Sequence, residues 1–262
     1  MTKNNKLLIS SSACKTISES VELAKELNTG IEISRLPIYK NKGMTVDDAI
    51  NILKNDLGDF QNRITVHAMF SDINIAGQDY MLREIGQLRY QQSFEVAKSL
   101  KADTILFHTG YKGTKHIGSI ASFQKNFISF WKEFIKEFEN TGIIAVIENV
   151  FETSPEFCIK LFEEINSPNL KLALDAGHVN LYAPNTKVTD WIRKYGQNLH
   201  HMHIHNNFQT NDDHSNLLNG TLEYKEIFST IKQMNLNPSF VFEMFTKEDI
   251  IKSIDFFNTV MN

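Results

Sequence analysis

The sequence predicts a single α/β domain over residues 1–262, a closed (β/α)8 TIM barrel. Three observations predict it. Short apolar runs alternate with segments of helical period eight times, and the strand starts lie 24 to 40 residues apart, the length of a βα unit. A chain of 262 residues suits one such barrel. No linker or low-complexity segment breaks the series, and no early strand is followed by a GxGxxG turn, which weighs against an open doubly wound sheet.

The strands are expected at residues 6–10, 30–34, 63–67, 103–108, 143–148, 170–175, 199–205 and 239–243. Between them, residues 18–27 place Val21, Ala24 and Leu27 on one stripe. Residues 45–57 open on Thr-Val-Asp-Asp, a cap with acidic residues in the first turn. Long helices follow at 79–100 and 122–139, and the second carries Phe123, Phe127, Phe130, Phe134 and Phe138 at helical spacing, the pattern of a core face. Ser154-Pro155 starts a fifth helix with proline at its first position. Residues 188–195, 224–234 and 247–260 complete the eight.

Composition narrows the function. A 42% hydrophobic fraction fits a soluble protein with a large core, and the net charge of −4 gives no general attraction to nucleic acid or to an anionic membrane. Cys14 and Cys158 form no CxxC pair, so neither a disulfide framework nor a cysteine zinc site is expected. The N-terminal apolar run is too short for a signal peptide and no window approaches a membrane span, so the expected compartment is cytoplasmic.

The chemistry gathers at strand ends. In a barrel of this kind the active site lies at the carboxyl ends of the strands. Six successive strands finish on or just before a metal-competent side chain: His67, His108, Glu148, Asp175 with His178, His203, and Glu243. Burying Glu148 beside Val-Ile, or Glu243 beside Val-Phe, is costly unless a partner or metal compensates. The stretch Leu199–His214 holds five of the nine histidines. Period 2 puts His201, His203 and His205 on one face of that strand and His200 on the other, with Asp212 and His214 returning after the turn.

These pieces (HAMFSDINIAG followed by Arg83-Glu84, KADTILFHTGY, AVIENV, LALDAGH, HMHIHNN followed by DDH, and FVFEMF) resemble the xylose isomerase-like TIM-barrel superfamily. That superfamily contains sugar and sugar-phosphate isomerases and epimerases and the endonuclease IV group of AP endonucleases. The resemblance implies a divalent metal, Zn, Mn, Mg or Co, held by Glu148, Asp175, His203 and Glu243, with His205 the second choice on its strand. The endonuclease IV group adds ligands that match His67, His108, His178, Asp212 and His214, so one to three ions are implied.

Two mechanisms compete for this site, and the oligomeric state is left open by both. The first is a metal-dependent isomerase or epimerase of a sugar or sugar phosphate, in which Glu148 and Glu243 move the proton. There His178 and His205 orient substrate oxygens, and Arg35 and Lys112 are candidates for a substrate anion, against a reading of both as surface charge. The alternative is a zinc phosphodiesterase of the AP endonuclease kind, the one case in which nucleic acid becomes a partner. Arg35, Tyr39, Lys40 and Lys42 after strand two suit that reading, whereas the loop after strand three has no basic residue. A non-catalytic ligand-binding barrel ranks third, because all four primary ligands are present.

Overall fold

The computed structural model describes residues 6–39, 41–113 and 119–261; Lys40 and the side chain of Tyr39 lie outside them. Eight parallel strands close in sequence order: β1 (Leu7–Ser10), β2 (Gly30–Ile33), β3 (Ile64–His67), β4 (Thr104–His108), β5 (Ile144–Glu148), β6 (Leu170–Asp175), β7 (Leu199–Ile204) and β8 (Ser239–Phe242). β1 pairs with β8 through Leu8 opposite Val241, which closes the ring. Every strand falls inside its expected span. His205 and Glu243, expected as last strand residues, instead stand one residue beyond β7 and β8.

The helices are α1 (Ile17–Glu26), α2 (Val46–Leu57), α3 (Tyr80–Ser99), α4 (Ile120–Phe134), α5 (Pro155–Ile165), α6 (Ala176–Tyr182), α7 (Val188–Tyr195), α8 (Tyr224–Gln233) and α9 (Lys247–Met261). Their starts follow local chemistry. Thr45 caps α2 in a capping box with Asp48, Thr16 does the same for α1 with Glu19, and Asp79 accepts two backbone N–H groups at α3. Two expectations need correction. The fourth helix does not run unbroken to Glu139: it tightens to a 3-10 turn over Ile135–Phe138. The short α6 was not expected, since Asp175 acts both as strand end and as helix cap.

The main core lies between the strand ring and the helices. Phe123, Phe127, Phe134 and Phe138 are buried there with Phe130 packed against them, and Phe107 of β4 meets the rings of Tyr90, Trp131 and Phe134. Inside the ring, alternation along β4, β5 and β6 turns Leu106, Val146 and Ala173 inward as a small separate apolar cluster. The same alternation carries His108, Glu148 and Asp175, two residues further on, to the mouth above it. Arg63 closes the opposite end, paired with Asp103 at 2.7 Å and hydrogen-bonded to Ser239. Among the described residues, no helix is long and apolar enough to cross a membrane.

Candidate metal centre

β3, β4, β5 and β6 end on His67, His108, Glu148 and Asp175, while β7 turns His203 inward and Glu243 follows β8. The loop after β7 completes the mouth. Asn206 and Ser215 exchange backbone hydrogen bonds of 2.8 and 2.9 Å, folding Asp212 and His214 back over the strand ends. Asn207 holds that fold to α6 by donating to the Gly177 carbonyl at 2.9 Å.

Nδ1 of His203 is the centre of the arrangement. It lies 2.9 Å from Glu148 Oε1, 2.9 Å from Glu243 Oε2 and 3.8 Å from Asp175 Oδ2. Donors about 2.1 Å from one ion stand about 3–3.5 Å from one another, so these four side chains are spaced as a ligand set. On one side, His108 Nε2 is 2.8 Å and His67 Nε2 4.0 Å from Glu148 Oε2. On the other, Asp212 Oδ2 is 3.4 Å from His178 Nε2 and 3.2 Å from His214 Nε2, and His205 Nε2 is 3.2 Å from Asp175. The structure therefore brings together every residue expected as a primary or additional metal ligand, together with His205.

Both Glu148 oxygens and Asp212 Oδ1 are buried without a properly directed hydrogen bond. Orphaned carboxylate oxygens amid ring nitrogens are a donor set that fits a divalent cation. The histidine rings agree. Nδ1 of His67 donates to the Ala68 carbonyl at 2.8 Å, Nδ1 of His178 to the Asn149 carbonyl at 3.0 Å, and Nδ1 of His214 to the Glu243 carbonyl at 2.6 Å. Each bond fixes one nitrogen and leaves Nε2 facing the carboxylates, as in metal sites whose ligand histidines are oriented from behind.

Protonation follows the same layout. Burial opposes charge on Glu148, yet the facing His203 and His108 outweigh it and hold the carboxyl well below the usual range. Burial is likewise outweighed at Glu243, which His203 brings down to about 2. His178 is pushed up to about 10 against its burial by Asp175 and Asp212, and His214 to about 9 by Asp212 and Glu243. Protons on these rings supply positive charge of the kind a divalent cation would supply in their place.

Arg35 is engaged with the loop after β1. Its guanidinium donates to the carbonyls of Cys14, Lys15 and Ser12 at 3.0, 3.0 and 3.1 Å, binding the loop after β1. Lys112 is exposed. Sequence reasoning missed Glu32 of β2, which is fully buried and meets Nε2 of His201 at 2.8 Å and Nε2 of His203 at 2.7 Å. A lone Glu between Ile31 and Ile33 was the available signal. It also missed Asn149, whose amide brackets Asp175 by accepting from its N–H at 3.0 Å and donating to its carbonyl at 3.2 Å. Exposed Phe70, Phe151, Phe208 and Phe245 lie on loops at the mouth; Phe70 packs 4.8 Å from the His67 ring and Phe245 4.5 Å from the His214 ring.

Comparison with known proteins agrees with this architecture. Residues 21–260 match the family described as xylose isomerase-like TIM barrel, and the chain belongs to that family. It is similar to the uncharacterized protein MJ1311 of Methanocaldococcus jannaschii, 24% identical over 200 residues that cover 74% of this chain and 68% of that one. Among solved structures, a D-tagatose 3-epimerase-like protein aligns with a TM-score of 0.82 at 22% identity, over 97% of this chain and 96% of that one. A D-psicose 3-epimerase crystallised in the presence of D-fructose aligns with a TM-score of 0.78 at 15% identity, over 97% and 99%. At these identities the likeness is one of fold.

Proposed function

We propose that the chain is a divalent-metal-dependent isomerase or epimerase of a small carbohydrate. The observation that supports this reading is the convergence of Glu148 and Glu243 on one nitrogen, each with a carboxylate oxygen 2.9 Å from His203 Nδ1. Glu148, Asp175, His203 and Glu243 would hold the ion. Such an ion would draw electron density from the carbonyl and neighbouring hydroxyl oxygens of an open-chain sugar and so acidify the C–H on the carbon next to the carbonyl. One of the two glutamates takes that proton and the other returns one, to the neighbouring carbon or to the opposite face of the same carbon. His178 and His205 stand beside Asp175 and orient substrate oxygens. The aromatic rim favours a small neutral substrate, since Phe70 and Phe245 offer apolar surface to sugar C–H faces. The epimerase names of the structural neighbours point the same way.

A second reading has its own observation. His67, His108 and Glu148 form one metal-competent group, and His205, Asp212 and His214 another, on the two flanks of the central set. Three ions so arranged would serve phosphodiester hydrolysis, with one activating water and the others stabilising the leaving oxygen. Metal analysis of the purified protein, with parallel assays of ketose isomerisation or epimerisation and of abasic-site duplex incision, separates the two. Metal-dependent sugar turnover without incision is the expected result. Three zinc ions with incision and no sugar turnover would replace the first reading by the second.

A further inference from the structure

Glu32 lies behind the ligand ring and satisfies every hydrogen bond within its reach. Its Oε1 faces Nε2 of His203 at 2.7 Å, and its Oε2 faces Nε2 of His201 at 2.8 Å and accepts from the Thr65 hydroxyl at 3.0 Å. β2 and β7 are not hydrogen-bonded neighbours, so the contact crosses the barrel interior. The contrast with Glu148 is chemical. Both Glu148 oxygens lack directed donors, whereas Glu32 has three donors on two oxygens. One carboxylate is free to take a cation and the other is filled.

We propose that Glu32 is a positioning residue: it keeps the His203 proton on Nε2, so that Nδ1 presents a lone pair to the point shared by Glu148, Asp175 and Glu243. The inference rests on the metal reading of that point given above. A carboxylate accepts from both imidazoles at once. A carboxamide cannot, because its NH2 offers a donor to whichever ring its oxygen does not meet, and that ring must move its proton or lose the contact. When the ring concerned is His203, the proton goes to Nδ1 and occupies the ligating lone pair. Partners of this kind, behind a ligand histidine, typically alter metal affinity by about 10–100-fold when removed.

The test uses zinc as probe, with manganese, magnesium and cobalt tried in turn should zinc not bind. Zinc affinity of the full chain is measured by competition with a chromogenic chelator for the wild type and Glu32→Gln, and long-range 1H–15N spectra of histidine-labelled protein read the tautomer of each ring. The expected results are a His203 ring in the zinc-loaded wild type that ligates through Nδ1 and keeps its proton on Nε2, a mixture of ring states in Glu32→Gln under the same zinc, and zinc affinity about 10–100-fold weaker in the variant. A zinc-loaded wild type in which His203 ligates through Nε2, or in which Nε2 carries no proton, overturns the inference without any variant having to fold. Unchanged zinc affinity in a folded Glu32→Gln protein, beside tight wild-type binding, overturns it alone. Failure of the wild type to bind zinc, manganese, magnesium or cobalt overturns the metal reading and this inference with it.

Discussion

A β-carbon on Gly177 would stand 2.0 Å from Cε1 of the His205 ring, with the two ring nitrogens each at 2.6 Å. The second residue of α6 is therefore glycine because a histidine ring occupies the space a side chain would need. Gly177→Ala must push His205 off Asp175 or shift the start of α6, and overpacking of this kind costs about 1–3 kcal/mol. Urea denaturation of the metal-free protein is expected to show that loss. Turnover should fall as well, because His178 follows on the same turn. A variant of wild-type stability would mean that the His205 ring adopts another position.

The barrel was legible because its strands are buried on both faces, and nearly continuous apolar runs of four to six residues at βα spacing have few competing readings. The strand-end side chains of the candidate site were legible for a related reason: a carboxylate or imidazole closing such a run has no place in a core. Glu32 carries the same signal but lies inside its run, where it reads as a strand interior and not as an end. Its role depends on His201 and His203, some 170 residues away, a relation that local pattern does not contain. Likewise α6 hides behind Asp175, because one side chain finishes β6 and also accepts the His178 N–H at 2.7 Å. The break in α4 was hidden because a 3-10 turn keeps Phe138 close to the phase of the helical stripe.

His200 supplies a pH prediction at the far end of the barrel. Burial, with His201, Arg63 and Lys6 nearby, lowers its pKa to about 4. The ordinary value near 6.5 is that of the unfolded chain, so folding releases a proton between the two. The stability His200 contributes is therefore present above pH 6.5 and is lost as pH falls from there towards 4. With chelator present, His200→Asn should lose less melting temperature than the wild type between pH 7 and pH 5. Parallel curves for the two proteins would show that His200 does not carry the acid sensitivity. Turnover at pH 8 is expected to be unchanged, since this end of a barrel governs stability.

Arg35 separates loop support from anion recognition. Its three hydrogen bonds to carbonyl oxygens are charge-assisted and two of them are partly buried, so Arg35→Ala is expected to cost about 1–3 kcal/mol in stability. Because three of its five N–H groups already donate to backbone carbonyls, the ratio of kcat/KM for a sugar phosphate to that for the free sugar should not change. A selective fall of about tenfold or more for the phosphate would require about 1.4 kcal/mol of lost anion binding and would assign the guanidinium to substrate.

Glu148 and Glu243 are equivalent towards His203 but not towards the flanks, and that difference decides between the two readings. Glu148→Gln removes a carboxylate shared by the central set and by His67 and His108, whereas Glu243→Gln leaves that flanking group intact. If one ion works with two proton-transferring glutamates, either variant should lower kcat by about 100-fold or more, the ordinary scale of general acid–base catalysis. Both should then also weaken the same single ion. If several ions work together, Glu148→Gln should release two of them and Glu243→Gln only one. Metal stoichiometry measured beside kcat in the two variants reads this directly. Equal loss of one ion with parallel loss of turnover supports the carbohydrate reading, and unequal loss supports the hydrolytic one. Retained turnover in Glu148→Gln would place the reaction away from this site altogether.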